Sequence, residues 1–120
     1  MKILVCDDDP ALVSMILFRL NQDNYNDITI ARDGYQAIEH LRKQDFDLVI
    51  TDIHMPYCTG DHVVALIREE QKKETPILML SSDGEEEVII LAKKMGVNEF
   101  LKKPLKDKEL SKAVKRLLKT

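Results

Sequence analysis

The sequence places polar side chains directly after four short apolar segments. These polar groups are the acidic run Asp7-Asp8-Asp9, then Thr51-Asp52, Ser81-Ser82 and Lys102-Lys103-Pro104. Carboxylates that meet in a partly desolvated cleft repel one another, so they need a divalent cation or a nearby ammonium group. Ligands that are all oxygens favour a hard ion, Mg²⁺ or Mn²⁺, over zinc. The pattern therefore predicts a divalent metal site.

The charges of these groups also indicate what else the site can accept. Asp7, Asp8 and Asp52 bring three negative charges, a divalent ion brings two positive charges, and Lys103 brings one, so the cluster is neutral. An acyl phosphate at Asp52 leaves about one negative charge, which backbone N–H groups and a hydroxyl can accommodate. The site is thus balanced for phosphate.

Each residue also has a simpler interpretation when it is taken alone. Asp9 directly before Pro10 is typical of a helix N-cap followed by proline at the first helical position, and we expect that role for it. Asp52 or Lys103 alone fits a charge on the protein surface, and Ser81 alone fits a helix cap. The coincidence of four polar strand ends favours a functional site.

Strands and helices alternate five times in the sequence, and these elements must position the polar groups. The predicted strands are Lys2 to Cys6, Ile28 to Ala31, Phe46 to Thr51, Ile77 to Leu80 and Val97 to Leu101. Stretches with a 3.6-residue apolar period follow each strand. Such βα units form a parallel sheet covered by helices on both faces, a three-layer α/β fold. Ligands of these folds bind beyond the carboxyl ends of the strands, where the polar groups are.

Composition limits the class of protein. The chain has 120 residues, a net charge of -3, 44% hydrophobic and 32% charged residues, which predicts one domain over residues 1–120. The longest apolar run, Val88 to Ala92, is too short to span a bilayer, so we expect a cytoplasmic protein without membrane contact. The mildly acidic balance argues against direct nucleic-acid binding. Cys6 and Cys58 lack metal-ligand spacing and are expected to be structural.

The sequence resembles the receiver domain of two-component response regulators over essentially its full length. The motifs that carry the resemblance are Asp7-Asp8, the segment Asp52-Ile53-His54-Met55-Pro56, Gly60, Ser81 and Lys103-Pro104. The resemblance implies a flavodoxin-like (βα)5 fold with a five-stranded parallel sheet of order 2-1-3-4-5. It also implies that a phosphoryl group moves from a phosphohistidine, on a sensor histidine kinase or a histidine phosphotransfer protein, to Asp52. No output domain is expected within these residues, and a downstream effector protein or domain would read the signal.

The resemblance assigns a role to each residue of the acidic site. Asp52 is the nucleophile and phosphoacceptor, in a protein that catalyses its own phosphorylation and slow dephosphorylation and is not a turnover enzyme. Mg²⁺ takes oxygens from Asp8 and Asp52 and from the backbone carbonyl of His54. Asp7 acts as a further ligand or through a bound water.

The resemblance also implies a conformational switch. Lys103 contacts the phosphate, and its peptide bond to Pro104 is expected to be cis. After phosphorylation, Ser81 turns its hydroxyl toward a phosphoryl oxygen and Phe100 turns inward into the space that is left. The surface that changes is formed by the fourth helix, the fifth strand and the fifth helix.

Three residues near the phosphate position depart from, or vary within, the family pattern. His54 lies two positions after Asp52, where its side chain can overhang the site. Ser82 stands where a small Ala or Gly is frequent, and it either adds a hydrogen bond or narrows access. Asp83 lies near the mouth and could orient the hydrolytic water. We expect His54 and Asp83 to set the dephosphorylation rate.

Three alternatives stay open at this stage. A haloacid-dehalogenase-type phosphatase also uses a nucleophilic Asp, Mg²⁺ and a lysine, but its nucleophile follows the first strand, which leaves Asp52 without a role. A flavin-binding protein of similar topology needs a phosphate at its first loop, where Asp7-Asp8-Asp9 has the wrong charge. A receiver-like module that acts only through protein contacts would not need the acidic pair, Asp52, Ser81 and Lys103.

Overall fold

The computed structural model describes residues 1–54, 59–82 and 86–118. Within these ranges five strands alternate with five α-helices. The strands are β1 (Lys2–Cys6), β2 (Asp27–Ala31), β3 (Leu48–Asp52), β4 (Ile77–Ser81) and β5 (Glu99–Lys102). The helices are α1 (Pro10–Gln22), α2 (Gly34–Lys43), α3 (Gly60–Ala65), α4 (Glu86–Met95) and α5 (Asp107–Leu118), and a π-helical turn, Leu66–Glu70, continues α3. None of the helices in these ranges has the length and apolar character needed to cross a bilayer.

All strand pairs are parallel, and the strand order is β2-β1-β3-β4-β5. The predicted flavodoxin-like order is therefore confirmed. The register pairs Cys6 with Thr51, and Asp52 with Leu80. Because the strands are parallel and nearly in register, their carboxyl ends lie at one edge of the sheet, as the position of the polar groups requires.

Two apolar layers hold the helices against the sheet. Helices α1 and α5 pack on one face, through side chains such as Ile16 and Val114. Helices α2, α3 and α4 pack on the other face, through side chains such as Leu41 and Ala92. Every residue of β3 and β4 is buried. The apolar runs Leu48 to Ile50 and Ile77 to Leu80 within these strands follow from burial on both faces.

Two strands begin later in the chain than their apolar patterns predict. Phe46 is buried but precedes β3, whose first residue is Leu48. Val97 is also buried, but its N–H donates to the Ala92 carbonyl at 3.1 Å and so closes the end of α4 before β5 begins. Both residues fill the core without joining the sheet ladder. Burial alone does not distinguish these two positions from strand residues.

Candidate functional site

The turn from β1 into α1 fixes the first carboxylate of the site. Asp7 is fully buried, and its N–H donates to the Ala31 carbonyl at 3.0 Å, extending the ladder with β2 by one bond. Asp7 Oδ1 accepts the N–H of Asp9 at 2.9 Å. Asp9 in turn caps α1, because its Oδ1 accepts the Ala11 N–H at 3.0 Å with Pro10 at the helix start. The N-cap predicted for Asp9 is confirmed.

The second carboxylate stands at the end of the central strand β3. Asp52 is only 6% exposed, and its Oδ1 accepts the His54 N–H at 3.4 Å. The hydroxyl of Thr51, fully buried, donates to the Asp52 carbonyl oxygen at 3.0 Å. This role of Thr51 is not among the sequence-based predictions. The signal in the sequence is a hydroxyl at the last position of the predicted strand, after three apolar residues and directly before Asp52.

Lys103 joins the two buried carboxylates. Its Nζ lies 3.2 Å from Asp7 Oδ2 and 3.1 Å from Asp52 Oδ2. The Lys103 N–H donates to the Ser81 carbonyl at 2.7 Å, which carries the pairing of β4 with β5 one residue beyond the strands. The peptide bond between Lys103 and Pro104 is cis. One ammonium group therefore serves carboxylates from two neighbouring strands.

A third carboxylate completes a cluster that fits a hard cation. Asp8 is exposed, and carboxylate oxygens of Asp7, Asp8 and Asp52 lie within 4.8 Å of one another. Three carboxylates beside the single ammonium of Lys103 leave two negative charges, the charge that a divalent ion balances. The donors are all oxygens, as Mg²⁺ and Mn²⁺ prefer. The residues present thus fit the metal that the sequence predicts.

The titration behaviour of the cluster reflects its excess of acid. Burial raises the pKa of Asp7 above its usual value, and the nearby charge of Asp52 acts in the same direction, whereas the Asp9 N–H and Lys103 oppose the rise. Burial alone would lower the pKa of Lys103, but the charges of Asp52 and Asp7 outweigh it and the pKa is raised. Burial also raises the pKa of the Cys6 thiol well above its usual range. Cys6 therefore stays a protonated core residue beside the site.

The two residues expected to switch lie on neighbouring strands. Ser81 ends β4 and is fully buried, and Phe100 in β5 is half-buried against the core under α4. Phe100 pairs in register with Met79, which lies two residues before Ser81. Since alternate strand residues point to the same face, the side chains of Ser81 and Phe100 share one face of the sheet.

The structure describes two of the three residues that are expected to tune the site. His54 and Ser82 are both exposed at the carboxyl ends of β3 and β4. Asp83 lies outside the described residues, as do Cys58 and the Met55-Pro56 part of the motif after Asp52.

A close backbone contact explains the glycine of the motif. The N–H of Gly60 donates to the Ile53 carbonyl at 3.0 Å. A Cβ at Gly60 would lie 2.5 Å from the Asp52 carbonyl oxygen and 3.0 Å from the Ile53 Cα. Real Cβ atoms do not approach backbone atoms so closely, so a side chain here must displace the end of β3. The motif predicts a glycine at position 60, and the close approach to the Asp52 carbonyl is visible only in the folded structure.

An apolar groove opens beside Lys103. Its volume is about 540 Å³. It is lined by α1 and by the segments that follow β4 and β5, through Asp9, Ala11, Leu12, Met15, Ser82, Lys103, Pro104 and Leu105. The polar site therefore adjoins a surface on which a second protein could bury apolar side chains.

Comparisons with known proteins agree with this architecture. The family model described as the response regulator receiver domain matches residues 3–115. The chain is 37% identical over 123 residues to the chemotaxis protein CheY-3 of Vibrio cholerae, covering 98% of the chain and 94% of CheY-3. It is 33% identical over 117 residues to the alkaline phosphatase synthesis transcriptional regulatory protein PhoP of Bacillus subtilis, covering 98% of the chain. The chain spans only 48% of PhoP, about half of that relative.

A solved structure is similar as well. The receiver domain of the sensor histidine kinase PA1611 from Pseudomonas aeruginosa, with a magnesium ion coordinated in its active-site cleft, superposes with a TM-score of 0.86. It is 26% identical to this chain, and the match covers 99% of the chain and 98% of that domain. The phosphatase, flavin-binding and phosphorylation-independent alternatives are not favoured by these matches. The chain belongs to the receiver domain family of two-component response regulators.

Proposed function

We propose that Asp52 is the phosphoacceptor of this receiver domain. The observation that carries the proposal is the position of Lys103 Nζ, 3.1 Å from Asp52 Oδ2 and 3.2 Å from Asp7 Oδ2. An ammonium beside this carboxylate, at the open end of the sheet, can offset the negative charge that a phosphoryl group brings to the nucleophile. Asp52 also stands at the end of β3, the central strand of the sheet.

The carboxylates of Asp7, Asp8 and Asp52, with the backbone carbonyl of His54, hold Mg²⁺ or, as an alternative, Mn²⁺. The support is the donor set and its two uncompensated negative charges. When bound, the cation neutralises the carboxylates and draws charge from the phosphoryl oxygens. The magnesium ion in the PA1611 receiver domain supports the same assignment here.

The reaction is a transfer of phosphorus between two nucleophiles. An Asp52 carboxylate oxygen forms a bond to phosphorus while the bond from phosphorus to the donor imidazole nitrogen breaks, and the released imidazole keeps the electron pair. Lys103 holds the charge on the phosphoryl oxygens, a role that suits a compact ammonium on a flexible stem. Water then slowly hydrolyses the acyl phosphate on Asp52 in the same site. We therefore propose a protein that catalyses its own phosphorylation and dephosphorylation and is not a turnover enzyme.

The phosphoryl donor is a sensor histidine kinase or a histidine phosphotransfer protein. The apolar groove beside Lys103 supports this proposal, because a partner seated there brings its histidine to the end of β3. Residues such as Leu12 and Met15 supply the contact area. A downstream effector protein or domain responds to the phosphorylated state.

The response begins with Ser81 and Phe100. The Ser81 hydroxyl turns to a phosphoryl oxygen, Phe100 moves inward, and the surface formed by α4, β5 and α5 changes. Their shared face of the sheet supports this coupling. His54, Ser82 and Asp83 tune the rate of dephosphorylation. The cytoplasmic location and the single domain over residues 1–120 stay predictions.

Acyl-phosphate labelling tests the phosphoacceptor. The protein is incubated with a small acyl phosphate, with and without Mg²⁺, and its intact mass is measured. We expect the wild-type protein to gain one phosphoryl group only with Mg²⁺, and Asp52→Asn to gain none. Asp27→Asn, an exposed change at the far end of β2, is the matched control and should label like the wild type. Labelling of Asp52→Asn at the wild-type level contradicts the proposal, and is what the phosphatase alternative predicts.

A further inference from the structure

Positive charge is concentrated at the C-terminal end of this acidic chain. Residues 93–120 contain ten of the 18 basic residues but only three of the 21 acidic residues, although the chain as a whole has a net charge of -3. The described part of this segment, residues 93–118, contains the end of α4, strand β5 and helix α5. The molecule therefore has a basic side and an acidic remainder, and such asymmetry points to a charged partner.

Three lysines form a row along α5. Lys108, Lys112 and Lys115 follow one another at i, i+4 and i+7, the spacing that places side chains on one face of a helix. All three are exposed, whereas Leu110 and Val114 of the same helix are fully buried. The row thus lies on the side of α5 that faces away from the sheet.

No acid within the described ranges pairs with this row. Lys108, Lys112 and Lys115 take part in none of the ion pairs found among those residues. The acid in β5, Glu99, is already engaged, because Arg116 donates to it at 2.6 and 3.2 Å. Like charges four residues apart destabilise a helix, by roughly 0.2–0.5 kcal/mol a pair. The row therefore opposes helix formation slightly and gains no ion pair among the described residues.

Two further lysines extend the row toward the phosphoacceptor. Lys102 and Lys106 are exposed and line a hollow of about 270 Å³ with Glu109, next to Pro104. The hollow lies where β5 leads into α5. We call the five residues Lys102, Lys106, Lys108, Lys112 and Lys115 the lysine surface.

We propose that the lysine surface binds an acidic segment of a partner protein. The row from Lys108 to Lys115 is about 10 Å long at the rise of an α-helix, close to one Debye length at physiological salt. A short run of Asp and Glu residues fits within that distance. A nucleic acid extends well beyond it and meets the acidic remainder of the molecule, which repels phosphate. The proposal rests on charge and exposure, and does not depend on phosphorylation of Asp52.

A peptide titration of the full chain tests this proposal. The probe is deca-glutamate, and binding is followed by amide chemical shifts in NMR. We expect the shifts to be concentrated on residues 102–116 and to weaken as salt is raised. Replacing three lysines in Lys108→Gln, Lys112→Gln and Lys115→Gln should weaken binding about tenfold, since exposed ion pairs contribute modestly and glutamine keeps the helix propensity of lysine.

The control variant removes the same charge elsewhere. Arg32→Gln, Lys43→Gln and Lys72→Gln change exposed residues outside the lysine surface, so binding should stay within about twofold of the wild type. Equal weakening by both triple variants overturns the proposal, because only net charge would then matter. Tighter binding of a short DNA duplex than of deca-glutamate also overturns it. So does wild-type self-association that the lysine variant abolishes, since the partner would then be a second copy.

Discussion

Asp7 and Asp52 are buried carboxylates that share one ammonium group, that of Lys103. The pKa of Asp7 is raised, so its folded form binds a proton more tightly than its unfolded form. Protonated Asp7 therefore stabilises the folded protein relative to ionised Asp7. This stabilisation is fully present below the usual pKa of 3.8 and is lost as pH rises through the raised pKa. The charged form of Asp7 therefore opposes folding of the metal-free protein.

Replacing Asp7 by Asn should stabilise the metal-free protein at neutral pH by about 1 kcal/mol. The amide removes a buried charge, its oxygen can still accept the Asp9 N–H, and Lys103 keeps Asp52 as a partner. Urea unfolding in a chelator measures the change. The advantage of Asp7→Asn over the wild type should shrink as pH falls below the raised pKa of Asp7. An advantage that is the same at pH 3 and pH 7, with both forms folded, contradicts this account.

Replacing Lys103 by Met should destabilise the metal-free protein by about 2 kcal/mol, because two buried carboxylates then lack a counter-charge. The raised pKa of Lys103 means that its contribution persists through neutral pH and is lost only as pH rises through the folded value, above 10.5. Unfolding at neutral and alkaline pH measures both effects. Lys102→Met, at an exposed neighbour, is the control and should change stability by less than about 0.5 kcal/mol. Equal losses in the two variants would show that the buried ion pairs contribute nothing.

At the scale of elements, the contact between α3 and the end of β3 fixes the position of Asp52 at the carboxyl edge of the sheet. Gly60 begins α3, and its missing side chain lets the helix approach the Asp52 carbonyl. The Thr51 hydroxyl donates to that same carbonyl from within β3. The position of Asp52 therefore depends on backbone packing as well as on its own ion pair with Lys103.

Gly60→Ala should destabilise the fold by about 2 kcal/mol and slow acyl-phosphate labelling beyond the loss of folded protein, because the methyl group must displace the end of β3. Gly96→Ala is the matched control. Gly96 has a φ of +111°, and a Cβ there would meet the Arg68 side chain, at the opposite end of β5 from Lys103. It should also lose stability, by about 1–2 kcal/mol, but label normally while folded. Normal labelling of folded Gly60→Ala would contradict the positioning role.

At the scale of the whole molecule, the acidic cluster joins segments from β1 and β3, so metal binding requires the folded state. A ligand that binds only the folded protein stabilises it by an amount set by its concentration and affinity. Mg²⁺ at ten times its dissociation constant should add about 1.4 kcal/mol to the free energy of unfolding.

Asp8→Asn alters an exposed carboxylate, so it should change metal-free stability by less than about 0.5 kcal/mol. It should nevertheless abolish most of the stabilisation by Mg²⁺. Thermal unfolding with and without Mg²⁺ measures both, and an undiminished increment in Asp8→Asn contradicts the metal assignment.

The sequence by itself determined the features that depend on local pattern. Apolar period and strand length gave the alternation of five strands and helices, and Asp9-Pro10 gave the start of α1. Parallel strands place their carboxyl ends together, so the residue types at those ends were enough to predict a metal and phosphate site. The strand order came from the resemblance to a family, since periodicity does not specify which strands are neighbours.

Only the tertiary structure decided which groups meet and how far each is buried. Lys103 lies 96 residues from Asp7 in the chain, and their contact exists because β1 and the end of β5 reach the same edge. Phe46 and Val97 fill the core outside the strands, and Gly60 meets a backbone carbonyl from β3. These contacts join residues distant in sequence, so their geometry and the desolvation that shifts the pKa of Asp7 arise only when the layers pack together.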